Sequence, residues 1–168
     1  MKLRSHQLGW LLITIASVVL LLALLLNNWS HNRERSLSWA AMMGDLDLVK
    51  KWEAKGANLN EQNAHAFNWT PLMAAICHEN TNVVEYLLTR NVNLNLQDRN
   101  GLTALMWAIK NDDTNTVWLL LEKGADVSIT GGKGRENAFQ YAEISPHRAV
   151  LLEWLESYRT NRKVVPRH

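Results

Sequence analysis

Apolar residues follow two regimes along the chain. From Leu8 to Leu26 there are 19 residues with no charge, among them nine Leu, two Ile and two Val. Beyond residue 36 apolar positions alternate with polar ones at helical spacing. Leu72, Ala75 and Ile76 stand at i, i+3, i+4 and predict one apolar helical face. Val83, Val84, Leu87 and Leu88 predict a second. Pro71 suits the first turn, where a backbone N–H would have no helical acceptor.

The same pattern returns. Thr70-Pro71-Leu72-Met73-Ala74-Ala75 and Thr103-Ala104-Leu105-Met106-Trp107-Ala108 lie 33 residues apart, and the offset carries Val84 to Val117 and Leu87-Leu88 to Leu120-Leu121. Upstream, Leu37-Ser38-Trp39-Ala40 and Val49 repeat it at 35 residues; downstream, Asn137 to Ala142 and Trp154-Leu155 repeat it at 34. Gly56, Asn91 and Gly124 follow the second helix of three units, and Gly and Asn accept the left-handed conformation that closes a helix. A single helix pair is too small to shelter its apolar faces, so neighbours must stack. The reading is all-α: about four helix-pair units over 37–158, at roughly 37–68, 69–101, 102–135 and 136–158.

These units resemble the ankyrin repeat, in which a β-turn and two antiparallel helices recur every ~33 residues around a T-P-L-H-x-A core. The family's His is replaced by Met73 and Met106 here, with Ser38 and Gln140 in the outer units. The resemblance implies a protein partner held on the concave face by turn tips and first-helix ends. Carried over residue by residue, the partner-binding positions are Met43, Phe67, Trp69, His78, Arg99, Asn100, Leu102, Lys110 and Asn111, with Met42 and Cys77 beside them. Met43, Phe67, Trp69 and Leu102 are expected to form an exposed apolar patch. The other reading of Phe67 and Trp69 is that they fold the first long loop back onto the stack. Trp39, Trp107, Trp52 and Trp154 read as packing residues. Trp118 reads as a second contact on the convex side or a membrane-facing ring.

The uncharged run from Leu8 to Leu26 predicts a transmembrane helix, since 19 residues rise roughly 28 Å. Its 13 large aliphatics favour insertion by roughly 4–8 kcal/mol. A cleaved signal peptide would be shorter and end in a small-x-small site, which Leu24 to Trp29 does not offer. A buried core helix is the third reading. Lys2 and Arg4 precede the span while Arg33 and Arg35 follow it, so the positive-inside rule puts residues 1–7 in the cytoplasm. The expectation is therefore a single-pass protein of the bacterial inner membrane, with lipid around its helix and its repeats in the periplasm. A eukaryotic source would put them in a lumen, with sequons at Asn28 and Asn68. The nine-residue tether from Asn27 to Arg35 reaches at most ~30–32 Å, which would hold the repeats, and any partner, near the bilayer. The tail at 159–168 carries Arg159, Arg162, Lys163 and Arg167 without an acid. It reads as a solvated terminus or as a weak contact with anionic headgroups.

Charge and chemistry narrow the function. All 16 acids and 16 of the 18 bases follow the uncharged run, so the repeats are close to neutral. Nucleic-acid binding wants a basic face and is not expected. Cys77 is the one cysteine, so no internal disulfide forms. H-E-x-x-H, C-x-x-C and G-x-S-x-G are absent, and Gly131-Gly132-Lys133-Gly134 lacks the phosphate-loop pattern. His65 and His78 beside Cys77 are the one candidate nucleophile or metal cluster, without a third orienting group. Asp45, Asp47, Asp112 and Asp113 read as helix caps. No cofactor, metal or small-molecule substrate is expected, and the chain does not read as an enzyme. Three roles stay open: a recruiting or inhibiting module, an immunity or antitoxin-like protein that occludes an effector, and a stabiliser of a membrane complex.

Overall fold

The computed structural model describes residues 15, 17–22, 36–64 and 67–160. The chain divides into two units, Met1–Ser36 and Leu37–His168. In the first, Ile15 and residues 17–22 are helical and exposed. The rest of the expected span at 8–26, the tether at 27–35 and the tail from 161 lie outside the described residues.

The expected localisation is corrected here. Among the described residues no helix is long and apolar enough to cross a membrane, which points against a single-pass membrane protein. The inner-membrane placement, the periplasmic repeats and the lipid contact go with it.

Among its described residues the second unit holds eight helices in four antiparallel pairs. They are α1 Leu37–Met43 and α2 Leu46–Ala54, α3 Pro71–Cys77 and α4 Thr81–Leu88, α5 Ala104–Lys110 and α6 Thr114–Glu122, and α7 Ala138–Glu143 and α8 Arg148–Arg159. First helices stack as α1, α3, α5, α7, and second helices stack outside them as α2, α4, α6, α8. The core lies between these layers. Leu37, Leu72, Ile76, Leu87, Leu105 and Leu120 are each buried, a burial worth ~1.5–3 kcal/mol per side chain.

Five of the described helices, α2, α3, α5, α6 and α7, start where a short polar side chain meets an orphan N–H group. Thr70 and Thr103 accept from the amides of Met73 at 3.2 Å and Met106 at 3.4 Å. Asp45 and Asp113 cap α2 and α6 in the same way, as their spacing suggests. Asn137 and Gln140 form a reciprocal capping box on α7.

Side-chain amides also clasp neighbouring repeats. Asn80 Nδ2 donates to the carbonyls of Ala41 at 2.9 Å and Met42 at 2.8 Å. Asn111 Nδ2 donates to Ile76 O at 2.9 Å one repeat later. Each clasp satisfies carbonyls that the end of a first helix leaves open.

Helix closure departs from expectation at one point. Gly56 and Gly124 take φ of 82° and 85°, as the left-handed slot requires, but Asn91 does not adopt positive φ. There Val92 N bonds Arg90 O at 2.9 Å instead, a tighter turn. Glu79 and Asp112, between the helices of the second and third repeats, carry φ of 57° and 61°.

Candidate functional site

The concave face is built from the turns before the first helices and the outward side of those helices. Among the described residues the turns contain isolated bridges, Asn63 with Trp69 and Gly131 with Glu136. They join edge to edge: Arg99 N donates to Phe67 O at 2.8 Å and Gly132 N to Asn100 O at 2.7 Å. Gln97 Nε2 ties Gly101 O at 2.6 Å to Thr130 O at 2.9 Å. The turn tips are therefore held in register by the backbone.

Asp98 organises the centre. Its side chain is only 6% exposed, and its Oδ1 accepts from Asn100 N at 2.7 Å and Leu102 N at 2.9 Å. Its Oδ2 accepts from two indoles, Trp69 Nε1 at 3.3 Å and Trp107 Nε1 at 3.1 Å. Hydrogen bonds to an ionised acceptor are the stronger kind, and a buried carboxylate needs them. One carboxylate thus fixes the turn and sets both Trp rings, which meet edge to face at 5.5 Å.

Around this pair lies a mixed aromatic and cationic surface. Trp69 reaches the exposed His78 ring at 6.3 Å, and Phe67 lies 5.6 Å from Trp69. Lys110 Nζ sits 5.3 Å from the Trp107 ring and 5.6 Å from the Tyr141 ring, both within cation–π range. Phe67 is 55% exposed and has φ of 54°, next to Asn68 at 62°. A left-handed conformation costs a residue with a Cβ about 1–2 kcal/mol. The surroundings, including the bond from Arg99 N to Phe67 O, impose that cost, and the ring stands in solvent.

The positions named from the sequence divide by environment. Met43, Phe67, His78, Arg99, Asn100 and Lys110 are exposed, and Trp69 is half-buried. Leu102 is only 4% exposed, because its backbone closes on Asp98 and its side chain turns into the stack, so it is no part of an exposed patch. Asn111 is occupied as an inter-repeat clasp. Arg99 donates its guanidinium to Ala64 O at 2.8 Å and braces the adjacent turn. Phe67 and Trp69 take different places: Trp69 is packed and bonded, while Phe67 projects.

Two other expectations are refined. Trp107 packs against the core as expected, but it is only half-buried and its indole also meets Asp98 and Trp69 on the concave face. The shared slot of Trp39, Trp107 and Tyr141, four residues after each helix cap or its equivalent, was the available signal. Asp98 gave no signal beyond its place in the turn. Trp118 meets Trp154 at 5.3 Å and Tyr158 at 6.0 Å, so its ring is covered by the last repeat.

The nucleophile reading loses its chemistry. Burial, then the charge of Asp98, pushes the Cys77 thiol up to about 12, with Lys110 opposing. A thiol so protonated at neutral pH supplies no thiolate. His65 lies outside the described residues. No cluster of metal-binding side chains is found among the described residues.

The family model for ankyrin repeats (3 copies) matches residues 37–130, more than half of the 168-residue chain, and the chain belongs to the ankyrin-repeat family. This family is in general a non-catalytic module for protein–protein interaction. The chain is 40% identical over 68 residues to the rat ankyrin repeat and SAM domain-containing protein 6. That match covers 40% of this chain and 8% of the rat protein, so the chain spans a small part of its relative. It is 34% identical over 93 residues to the fowlpox virus ankyrin repeat protein FPV034, covering 55% of this chain and 21% of the viral one. Among solved structures it resembles a chain in the complex of the Bdellovibrio bacteriovorus predatory endopeptidase Bd0816 with immunity protein Bd3460. There the TM-score is 0.61 at 32% identity, covering 76% of this chain and 63% of that one.

Proposed function

We propose that this chain is an immunity-type inhibitor, which holds a target protein against its concave face and blocks it by occlusion. The observation that carries the reading is Phe67: an aromatic ring held 55% exposed on left-handed backbone, beside two indoles fixed by one buried carboxylate. Strained conformations persist where the surroundings impose them, and they concentrate at working sites. Rigid aromatic anchors lose little entropy on binding. Met43, Trp69, His78 and Lys110 extend the contact surface along the first helices. The likeness to a chain of an endopeptidase–immunity complex supports inhibition over simple recruitment.

The test places a photo-crosslinking amino acid at position 67 of the full-length chain, produced in its native host, and identifies the captured protein. The target's own activity is then titrated with unmodified chain. Activity is expected to fall to an end point at one equivalent. Phe67→Ala is expected to weaken inhibition about 30-fold, the equivalent of about 2 kcal/mol. Undiminished activity at excess chain refutes inhibition.

A further inference from the structure

The charges on the concave face do not balance. Lys110 is exposed and lies over two aromatic rings, with no carboxylate within ion-pair distance among the described residues. Lys133 and Arg135, exposed at the fourth turn, likewise make no ion pair there. The central acid, Asp98, is buried and its oxygens already accept four hydrogen bonds. Glu136 is turned to Tyr141 OH at 3.5 Å.

Aromatic rings alone would also suit a cationic guest, since their faces attract ammonium groups. Here the faces of Trp107 and Tyr141 already serve Lys110. A second cation there would meet the Lys110 charge, and like charges repel. An anion there gains the Lys110 charge at no such cost. The apolar part of the site lies at Phe67 and Trp69, whose rings are 5.6 Å apart, and the cationic part at Lys110 on the rings of Trp107 and Tyr141.

We propose that the occupant of this groove is a protein segment that sets a large apolar side chain on Phe67 and Trp69 and a neighbouring carboxylate on Lys110. The inference rests on the inhibitor reading above and adds the chemistry of the target's contact loop: acidic beside aromatic or aliphatic, and not basic. Lys110 gives charge selection and on-rate, while Phe67 and Trp69 give residence time.

The test uses a displayed random 12-residue peptide library, selected on the immobilised full-length chain. Peptides from the wild-type chain are expected to be enriched at least threefold in Asp and Glu next to a large apolar residue. Selection on Lys110→Glu is expected to remove that excess and favour Lys and Arg. A wild-type pool without acidic excess overturns the inference, as does an acidic excess that persists on Lys110→Glu. To separate this from the inhibitor reading, enriched peptides are competed against the protein captured from position 67. Competing peptides without acidic preference leave the concave site standing and sink only the charge assignment. Peptides that bind without competing sink both.

Discussion

On the outer layer, Trp118 is covered by Trp154 and Tyr158, and cations sit against acids: Arg90 Nε on Glu53 at 3.1 Å and Arg148 Nε on Glu143 at 2.6 Å. On the inner face Phe67 stands in solvent, and Lys110 has aromatic faces instead of a carboxylate. Both faces are made by the same repeat with similar residue types. What differs is the projecting aromatic ring and the buried carboxylate behind it. The outer layer pairs Arg90 and Arg148 with acids, though Lys50 and Lys55 lie over aromatic rings and Trp52 Nε1 is buried without a partner among the described residues. The inner face instead holds a projecting apolar ring, Phe67, beside indoles fixed by Asp98. A projecting ring on a rigid frame is suited to being covered by a partner.

The sharpest way to break this contrast is Asp98→Ala. It strips the acceptor from two backbone amides and two indoles at once, so chemical denaturation should show a loss of about 3 kcal/mol or more. By comparison Glu53→Ala, which breaks an outer pair with partners 43% and 28% exposed, should cost no more than about 1 kcal/mol. Equal losses would mean the frame is not centred on Asp98. Next come the aromatics. Trp118→Ala should cost roughly 2–3 kcal/mol of stability and leave target capture unchanged. Phe67→Gly should do the reverse, weakening capture about 30-fold while keeping or raising the thermal midpoint, since it relieves the left-handed strain. Trp69→Ala should lose both properties, because the ring is at once contact surface and Asp98 donor.

Asn111→Ala removes one inter-repeat clasp and should cost about 1 kcal/mol, seen as a lower denaturation midpoint with unchanged capture. The smallest effect is at Asp112. The Ser145 hydroxyl, more than the approach of His147, holds its carboxyl below the usual 3.8, against an opposing effect of burial. A lowered folded pKa gives stability that is present above the unfolded value and lost as the pH falls through the folded one. Ser145→Ala should therefore lower stability slightly at neutral pH, flatten the curve as the pH falls through about 4, and change nothing in strong acid, where Asp112 is protonated in both states.

Much of the fold was legible because the repeat states it several times over. Thr70 and Thr103 recur as caps, and Leu72 and Leu105 recur as core, so each position supports the other. The site was legible only in outline. Turn tips and helix ends could be named from spacing, but spacing does not say which way a side chain points. Leu102 follows a glycine at a turn tip and looked exposed, yet its amide bond to Asp98 draws it inward. Trp107 shares a first-helix slot with Trp39 and does pack against the core, but the slot does not tell that its ring is half-buried and bonded to Asp98. Asn91 looked like a helix-closing residue by analogy with Gly56 and Gly124, and the chain took another turn there. The long uncharged run at Leu8 to Leu26 predicts a membrane helix from composition alone, against which stands the absence of a long apolar helix among the described residues.

The central claim, that the inner face and not the outer is where a partner is held, reduces to one paired measurement. A photo-crosslinking residue is placed at position 67 on the inner face and, in a separate full-length chain, at the exposed Lys123 beyond the outer helix α6. Both are irradiated in the presence of the target. The account predicts a one-to-one crosslinked product from position 67 at least tenfold more abundant than from position 123. Comparable yields from both, or a product from 123 alone, would contradict it.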